Sequence, residues 1–91
     1  MCGIAGRVSL DGSTDEDRAL VQRMLRTLEH RGPDDQRSHD DAFASVGARR
    51  LAISDLETGA QPVADERGSI WGTQNGEIYN YVELRDALRR A

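Results

Sequence analysis

Near the start of the chain Ile4 and Val8 fall on one side of an extended segment, so residues 2–9 are predicted as a strand. Asp11-Gly12 is a turn signal. Val21, Met24, Leu25 and Leu28 then recur at helical spacing, which predicts an amphipathic helix over residues 14–29. Ser13-Thr14-Asp15-Glu16 has the form of a capping box, with Ser13 as N-cap and Glu16 reaching back to it. Gly32-Pro33 stops the helix. Residues 31–41 are charged and are expected to form a loop. Residues 42–54 are expected to form a strand pair or one bent strand, with Gly47 as a bulge or turn and with Leu51 and Ile53 alternating with polar neighbours. Residues 55–62 read as a loop, and Glu66-Arg67-Gly68 as a hairpin turn between residues 63–65 and 69–74. Asn80-Tyr81-Val82-Glu83 is a second capping box, opening a helix from about Tyr81 whose apolar positions are Val82, Leu84, Ala87 and Leu88. Strand, helix, several strands, helix is an α+β order. The final helix runs to the last residue without a C-cap or closing strand, so a truncated domain is expected.

Composition narrows the class. A chain of 91 residues buries only about two thirds of its unfolded surface. A hydrophobic share of 37% with only Phe43, Trp71, Tyr79 and Tyr81 as aromatics makes for a thin core. The net charge is −4, and all 12 basic residues are Arg, scattered rather than striped. That balance argues against nonspecific nucleic-acid binding. The lone cysteine excludes an internal disulfide and a multi-cysteine zinc site, and suits a reducing cytoplasm. No apolar run reaches membrane-spanning length, and MCGIAGRVSL lacks the charged and apolar regions of a signal peptide. With Cys rather than Gly at position 2, myristoylation is not expected.

Several residues could carry chemistry. Removal of Met1 would place a thiol and a free α-amine on Cys2. The unperturbed α-amine titrates at about 7.7–8.0 and the thiol at about 8.5, so the amine can accept the thiol proton and later donate one to a leaving group. Standing alone, a cysteine after a start codon is more often an ordinary small residue. Asn75-Gly76 could supply a side-chain amide and a backbone N–H to an oxyanion, but the same dipeptide after a strand is a favoured hairpin turn. Arg50 offers a guanidinium fork for a carboxylate, although a solvated strand arginine is commoner. Glu77 could meet a substrate ammonium, or simply open a helix. Asp34, Asp35 and His39 lack convincing metal-ligand spacing, and a chain without Lys has no GxxxxGK[ST] phosphate loop.

Four segments decide between these readings when taken together: MCGIAG at 1–6, HRGPDD at 30–35, RRLAISDLETGAQPV at 49–63 and NGEIYNY at 75–81. In this order and spacing they resemble the start of glutamine-hydrolysing asparagine synthetases, which are class II glutamine amidotransferases of the N-terminal-nucleophile hydrolase fold. The resemblance spans essentially the whole chain and roughly the first half of that family's glutaminase domain. It implies part of an αββα sandwich of antiparallel sheets flanked by helices. By resemblance, Cys2 is the nucleophile and Arg50 holds the substrate α-carboxylate. Arg50, Leu51, Ala52, Ile53 and Ser54 line the glutamine pocket, Asn75 and Gly76 form the oxyanion hole, Glu77 contacts glutamine, and Arg31 lies in a supporting loop. Gly47-Ala48-Arg49 and Gln74 depart from what many relatives carry, without touching those positions.

The same resemblance implies L-glutamine as substrate, a γ-glutamyl thioester, and ammonia passed to a synthetase domain where ATP and Mg²⁺ activate aspartate. No cofactor is expected on this chain itself, and neither nucleic acid nor membrane is an expected partner. A homodimer of the full-length parent is left open. The Asp that grips the substrate α-amine in relatives lies downstream, so the 91-residue chain by itself is expected to be inactive. Two alternatives remain: the glutaminase part of a related ATP-dependent amide ligase or cyclase, and an inactive piece with only a binding or structural role.

Overall fold

The strand β1 (Gly3–Val8) runs antiparallel to β3 (Ala44–Arg50), which runs antiparallel to β2 (Asp35–Asp40), giving a three-stranded sheet of order β1-β3-β2. The structure is a computed structural model that describes residues 2–51 and 60–91. Helix α1 (Asp15–Thr27) connects β1 to β2 and packs on one face of this sheet. A two-stranded antiparallel sheet, β4 (Val63–Ala64) and β5 (Trp71–Gly72), and the helix α2 (Tyr81–Arg90) follow. The expected α+β class with antiparallel sheets is what the chain adopts.

Strand alternation sorts the sheet into two chemically different faces. Gly3, Ala5 and Arg7 pair with Arg49, Gly47 and Ser45, and these positions face α1. Val21 and Leu25, both fully buried, fill the seam, each removing enough apolar surface to contribute about 2 kcal/mol. Gly47 was expected to break or bulge the strand; instead it sits in unbroken register between Ala5 and Ser38. Its role is steric, because a Cβ there would lie 2.5 Å from Leu25 Cδ1. The opposite face carries Ile4 and Val8, on one side as expected, with Ala44, Val46 and Ala48. Ile4 and Val8 are exposed, whereas Ala48 is buried.

The stretch expected to be a charged loop contains β2, whose sequence DQRSHD has no apolar residue. It pairs along its whole length with β3, and its helix-facing side chains find polar partners instead of a core. Gln36 Nε2 donates to Gln22 Oε1 at 3.1 Å and Gln22 Nε2 donates to Ser38 Oγ at 2.9 Å. Asp40 accepts from the buried Ser45 hydroxyl.

The α1 cap lies one residue later than expected. Thr14, not Ser13, is the N-cap, and Asp17, not Glu16, closes the box. Asp17 N donates to Thr14 Oγ1 at 3.2 Å, and Thr14 N donates to Asp17 Oδ2 at 2.8 Å. The shift lets one carboxylate serve three elements: Asp17, buried, also accepts from Ser9 Oγ at 3.1 Å and pairs with Arg7 of β1 at 2.5 Å. The Ser13 N–H is already committed to Ala42 O at 2.7 Å. The second expected box fails as well: Asn80 precedes α2 but makes no side-chain cap bond. The hairpin forms as expected, with the Asp65 carboxylate accepting from Ser69 N at 2.7 Å and Ile70 N at 3.1 Å across the turn.

The Thr14 backbone N–H chiefly, then the Ser9 and Thr14 hydroxyls and Arg7, hold the Asp17 carboxyl below its ordinary value despite an opposing effect of burial. A carboxylate with a depressed folded pKa stabilises the fold above its unfolded value, about 3.9, and ceases to do so as pH falls through the folded one. Asp17→Asn is therefore expected to lower hydrogen-exchange protection of α1 peptides at pH 7, with the difference from the unsubstituted protein shrinking only below about pH 4. Equal protection at pH 7 would contradict this role.

Candidate active site

Cys2 immediately precedes β1 and is half-buried and free. Gly3 pairs with Arg49, so continuing the antiparallel register brings Cys2 level with Arg50. The same alternation that turns Arg49 toward α1 turns Arg50 to the face on which Cys2 falls. The two residues, 48 positions apart in sequence, thus share one end and one face of the sheet.

Arg31 completes this corner. Its Nε donates to the Cys2 carbonyl oxygen at 3.1 Å, linking the segment after α1 directly to the start of the chain. That segment is held in turn. Arg31 N and Gly32 N both donate to Leu28 O, at 2.9 and 3.2 Å, and Asp34 N donates to Arg50 O at 3.0 Å. Pro33 forms a parallel bridge with Arg50. Gly32 lies against the backbone of β3: a Cβ there would be 2.3 Å from Arg49 C and 2.5 Å from Arg50 N. Only glycine allows the segment to approach so closely.

Reading the sequence missed two residues that belong to this corner, Gln36 and Arg49. Arg49 Nε donates to Gly32 O at 2.8 Å, and its Nη1 donates to Gln36 Oε1 at 2.6 Å. The signal available was the Arg49-Arg50 pair: on a strand, adjacent residues point to opposite faces, so two arginines in succession must do different work.

The remaining candidates lie elsewhere. Asn75, Gly76 and Glu77 follow β5 and are exposed. Gly76 has φ +148°, a conformation that favours glycine. Gly76 and Glu77 border an open concavity of about 860 Å³, whose other walls include Gln61, Gln74, Ile78 and Tyr81. Gln61 Oε1 accepts from Thr73 Oγ1 at 2.8 Å and Gln74 N at 2.7 Å, fixing one rim. Among the described residues, neither Cys2 nor Arg50 lines this concavity. The structure thus joins Cys2, Arg31 and Arg50 at one corner and sets Gly76 and Glu77 on the concavity. Trp71 stacks on His39 with ring centroids 3.8 Å apart and planes 6° from parallel, which ties β5 to β2, the edge strand opposite β1. Leu51 is exposed beyond the end of β3. Ala52, Ile53 and Ser54, expected to line a pocket, lie outside the described residues, as does most of the expected 55–62 loop.

Asp35 pairs with Arg37 at 2.9 Å, His39 is stacked on Trp71, and among the described residues no three His, Cys, Asp or Glu side chains group to hold a metal. Among those residues no helix is long and apolar enough to cross a membrane.

The sequence profile of the glutamine amidotransferase domain family matches residues 1–91. Asparagine synthetase [glutamine-hydrolyzing] 1 of Bacillus subtilis is 40% identical over 90 residues, which is 97% of this chain and 14% of the relative. Asparagine synthetase [glutamine-hydrolyzing] 2 of the same organism is 41% identical over 90 residues, 97% of this chain and 12% of the relative. Asparagine synthetase [glutamine-hydrolyzing] of Brassica oleracea is 40% identical over 89 residues, 98% of this chain and 15% of the relative. The chain thus spans about one seventh of the length of these relatives.

Gly32→Ala is expected to lift the 31–34 segment off β3 and to cost about 1–3 kcal/mol, the range for forcing extra atoms into close packing. Faster hydrogen exchange at Asp34 N, whose acceptor is Arg50 O, reports the displacement. An alanine variant with unchanged exchange there would contradict the close contact.

Proposed function

The chain belongs to the glutamine amidotransferase domain family, and on that premise we propose that it is the glutaminase portion of a longer ATP-dependent asparagine synthetase, with Cys2 as nucleophile. The observation that carries this reading is the corner at the end of the first sheet, where Arg31 grips the Cys2 carbonyl and the register sets Arg50 level with Cys2 on one face. A nucleophile needs its backbone fixed and a substrate anchor nearby, and this corner offers both.

In the proposed reaction Met1 is removed, leaving Cys2 with a free α-amine. The amine takes the thiol proton as sulfur attacks the side-chain carbonyl carbon of glutamine. The tetrahedral intermediate collapses to a γ-glutamyl thioester as the amine returns the proton to departing ammonia. Water, deprotonated by the same amine, then cleaves the thioester to glutamate and regenerates the thiol. Arg50 is assigned to the substrate α-carboxylate, which its planar fork matches. The strand continuing through Leu51, Ala52, Ile53 and Ser54 is assigned to the pocket wall. Asn75 and Gly76 are assigned to the oxyanion, and Glu77 to a polar contact with glutamine. Gly76 and Glu77 border a concavity that neither Cys2 nor Arg50 lines, and the relatives are several times longer, which supports a requirement for the remainder of the longer protein to complete the site, so the isolated 91-residue chain is proposed to be nearly inactive. Completing it would add a second sheet against the Ile4–Val8 face, as in an N-terminal-nucleophile sandwich.

Aspartate as acceptor is proposed from the names of the relatives. A related amide ligase would share this corner, because the acceptor is handled elsewhere. ATP and Mg²⁺ are assigned to the rest of the protein: this chain has no Lys for a phosphate loop, and the described residues contain no cluster of carboxylates fit for a divalent ion. The single free cysteine supports a reducing, cytoplasmic setting.

The test is glutamine hydrolysis by the full-length protein that carries this chain. Cys2→Ala is expected to abolish it, while a supply of free ammonia restores product formation. Hydrolysis persisting in Cys2→Ala would overturn the reading.

A further inference from the structure

We propose that Arg49 is a positioning residue for the nucleophile, acting through Gly32 and Arg31; the proposal rests on the assignment of Cys2 above. Arg49 carries only donors, so its two bonds set direction as well as distance. Nε fixes the Gly32 carbonyl at 2.8 Å, and Nη1 fixes Gln36 Oε1 at 2.6 Å. With its oxygen committed to Arg49, the Gln36 amide must present its nitrogen to Gln22, and the Gln22 amide presents its own to Ser38. One guanidinium thereby orients two amides and locks together β3, β2 and α1.

The end of this chain of bonds that matters is Gly32. Its neighbour Arg31 makes the bond to the Cys2 carbonyl. Gly32 is pressed against the Arg49–Arg50 peptide, its N–H bonded to Leu28 O at 3.2 Å and its carbonyl held by Arg49 Nε. Take away the Arg49 fork and the Gly32 carbonyl loses its side-chain partner, so the segment is held on the helix side only through the Arg31 and Gly32 N–H bonds to Leu28 O, and Arg31 holds Cys2 from a looser base. Arg49 points away from the face that Cys2 and Arg50 share. It therefore does not touch glutamine, and its loss misplaces the sulfur while leaving the substrate anchor intact.

In the full-length protein, with kcat expressed per reactive Cys2, Arg49→Gln is expected to lower kcat for glutamine hydrolysis roughly 10- to 100-fold, the scale of a small misplacement of a reacting group. KM for glutamine should stay within about twofold, because Arg49 makes no contact with substrate and Arg50, the assigned anchor on the other face, is retained, so ground-state binding is kept. The rate and extent of Cys2 alkylation by iodoacetamide at a fixed pH, followed by peptide mass spectrometry, should rise as the sulfur loses its fixed position. A merely structural role would reduce the amount of folded protein without moving either readout. Arg18→Gln, which removes the same charge from an exposed helix pair with Asp15, is expected to leave both unchanged. Should Arg49→Gln fail to fold, Gln36→Ala decides the matter: it removes the Nη1 acceptor together with the bond to Gln22 while leaving the Nε bond to Gly32, and kcat should fall with KM unchanged. Unaltered kcat and an unaltered alkylation rate in the folded variant, alongside an inactive Cys2→Ala, would overturn the positioning role alone. An active Cys2→Ala would instead overturn the underlying assignment.

Discussion

The corner depends on one close approach, that of the Gly32 backbone to the peptide between Arg49 and Arg50. Two layers of polypeptide meet there with no side chain between them. Because they meet, Asp34 N reaches Arg50 O, Pro33 bridges to Arg50, and Arg31 comes within bonding distance of the Cys2 carbonyl. A strand terminus would ordinarily fray. Here it is tied to a segment that is itself tied to the middle strand of the sheet, so a residue at the beginning of the chain acquires a defined position.

Division of labour between sheet faces follows from strand alternation. The helix side holds Leu25, Gly47, Ser45 and the polar chain from Arg49 through Gln36 and Gln22 to Ser38. The other side holds Ile4, Val8 and Val46, and is the side to which Cys2 and Arg50 belong. Stability and chemistry thereby occupy different faces of the same strands. The Arg49-Arg50 pair shows this most directly: one arginine faces the helix and holds the scaffold, and the next is offered to substrate in the proposed reaction.

Much of the fold was legible in the residues. The spacing of Val21 and Leu25 marked α1, and Glu66-Arg67-Gly68 marked the hairpin. The strand β2 was not legible, because DQRSHD has no apolar face. Its helix-facing side is satisfied by glutamine and serine rather than by a core, and hydropathy alternation cannot report that. Gly47 was misleading for the opposite reason: glycine suggests a break, yet here it makes room for Leu25 within a continuous strand. Cap positions moved because tertiary partners decided them. With Thr14 capping the helix, Asp17 reaches Arg7 and Ser9, whereas Asn80 makes no side-chain cap bond. Of the site, the resemblance singled out Cys2, Arg31 and Arg50, which the fold draws to one corner. Arg49 opens the 49–63 segment but received no role there, and Gln36 lay outside every motif, because their contribution is a pair of hydrogen bonds across 17 and 13 residues.

The central claim concerns the chemical identity of the first residue in the working protein. Treat the full-length protein with a glutamine analogue whose side-chain amide is replaced by an electrophilic diazoketone, digest it, and determine the mass of the N-terminal peptide. The account predicts a peptide that begins at Cys2, lacks Met1, and carries the analogue on sulfur with a free α-amine. Label found on another residue, or a fully active protein that retains Met1, would contradict it.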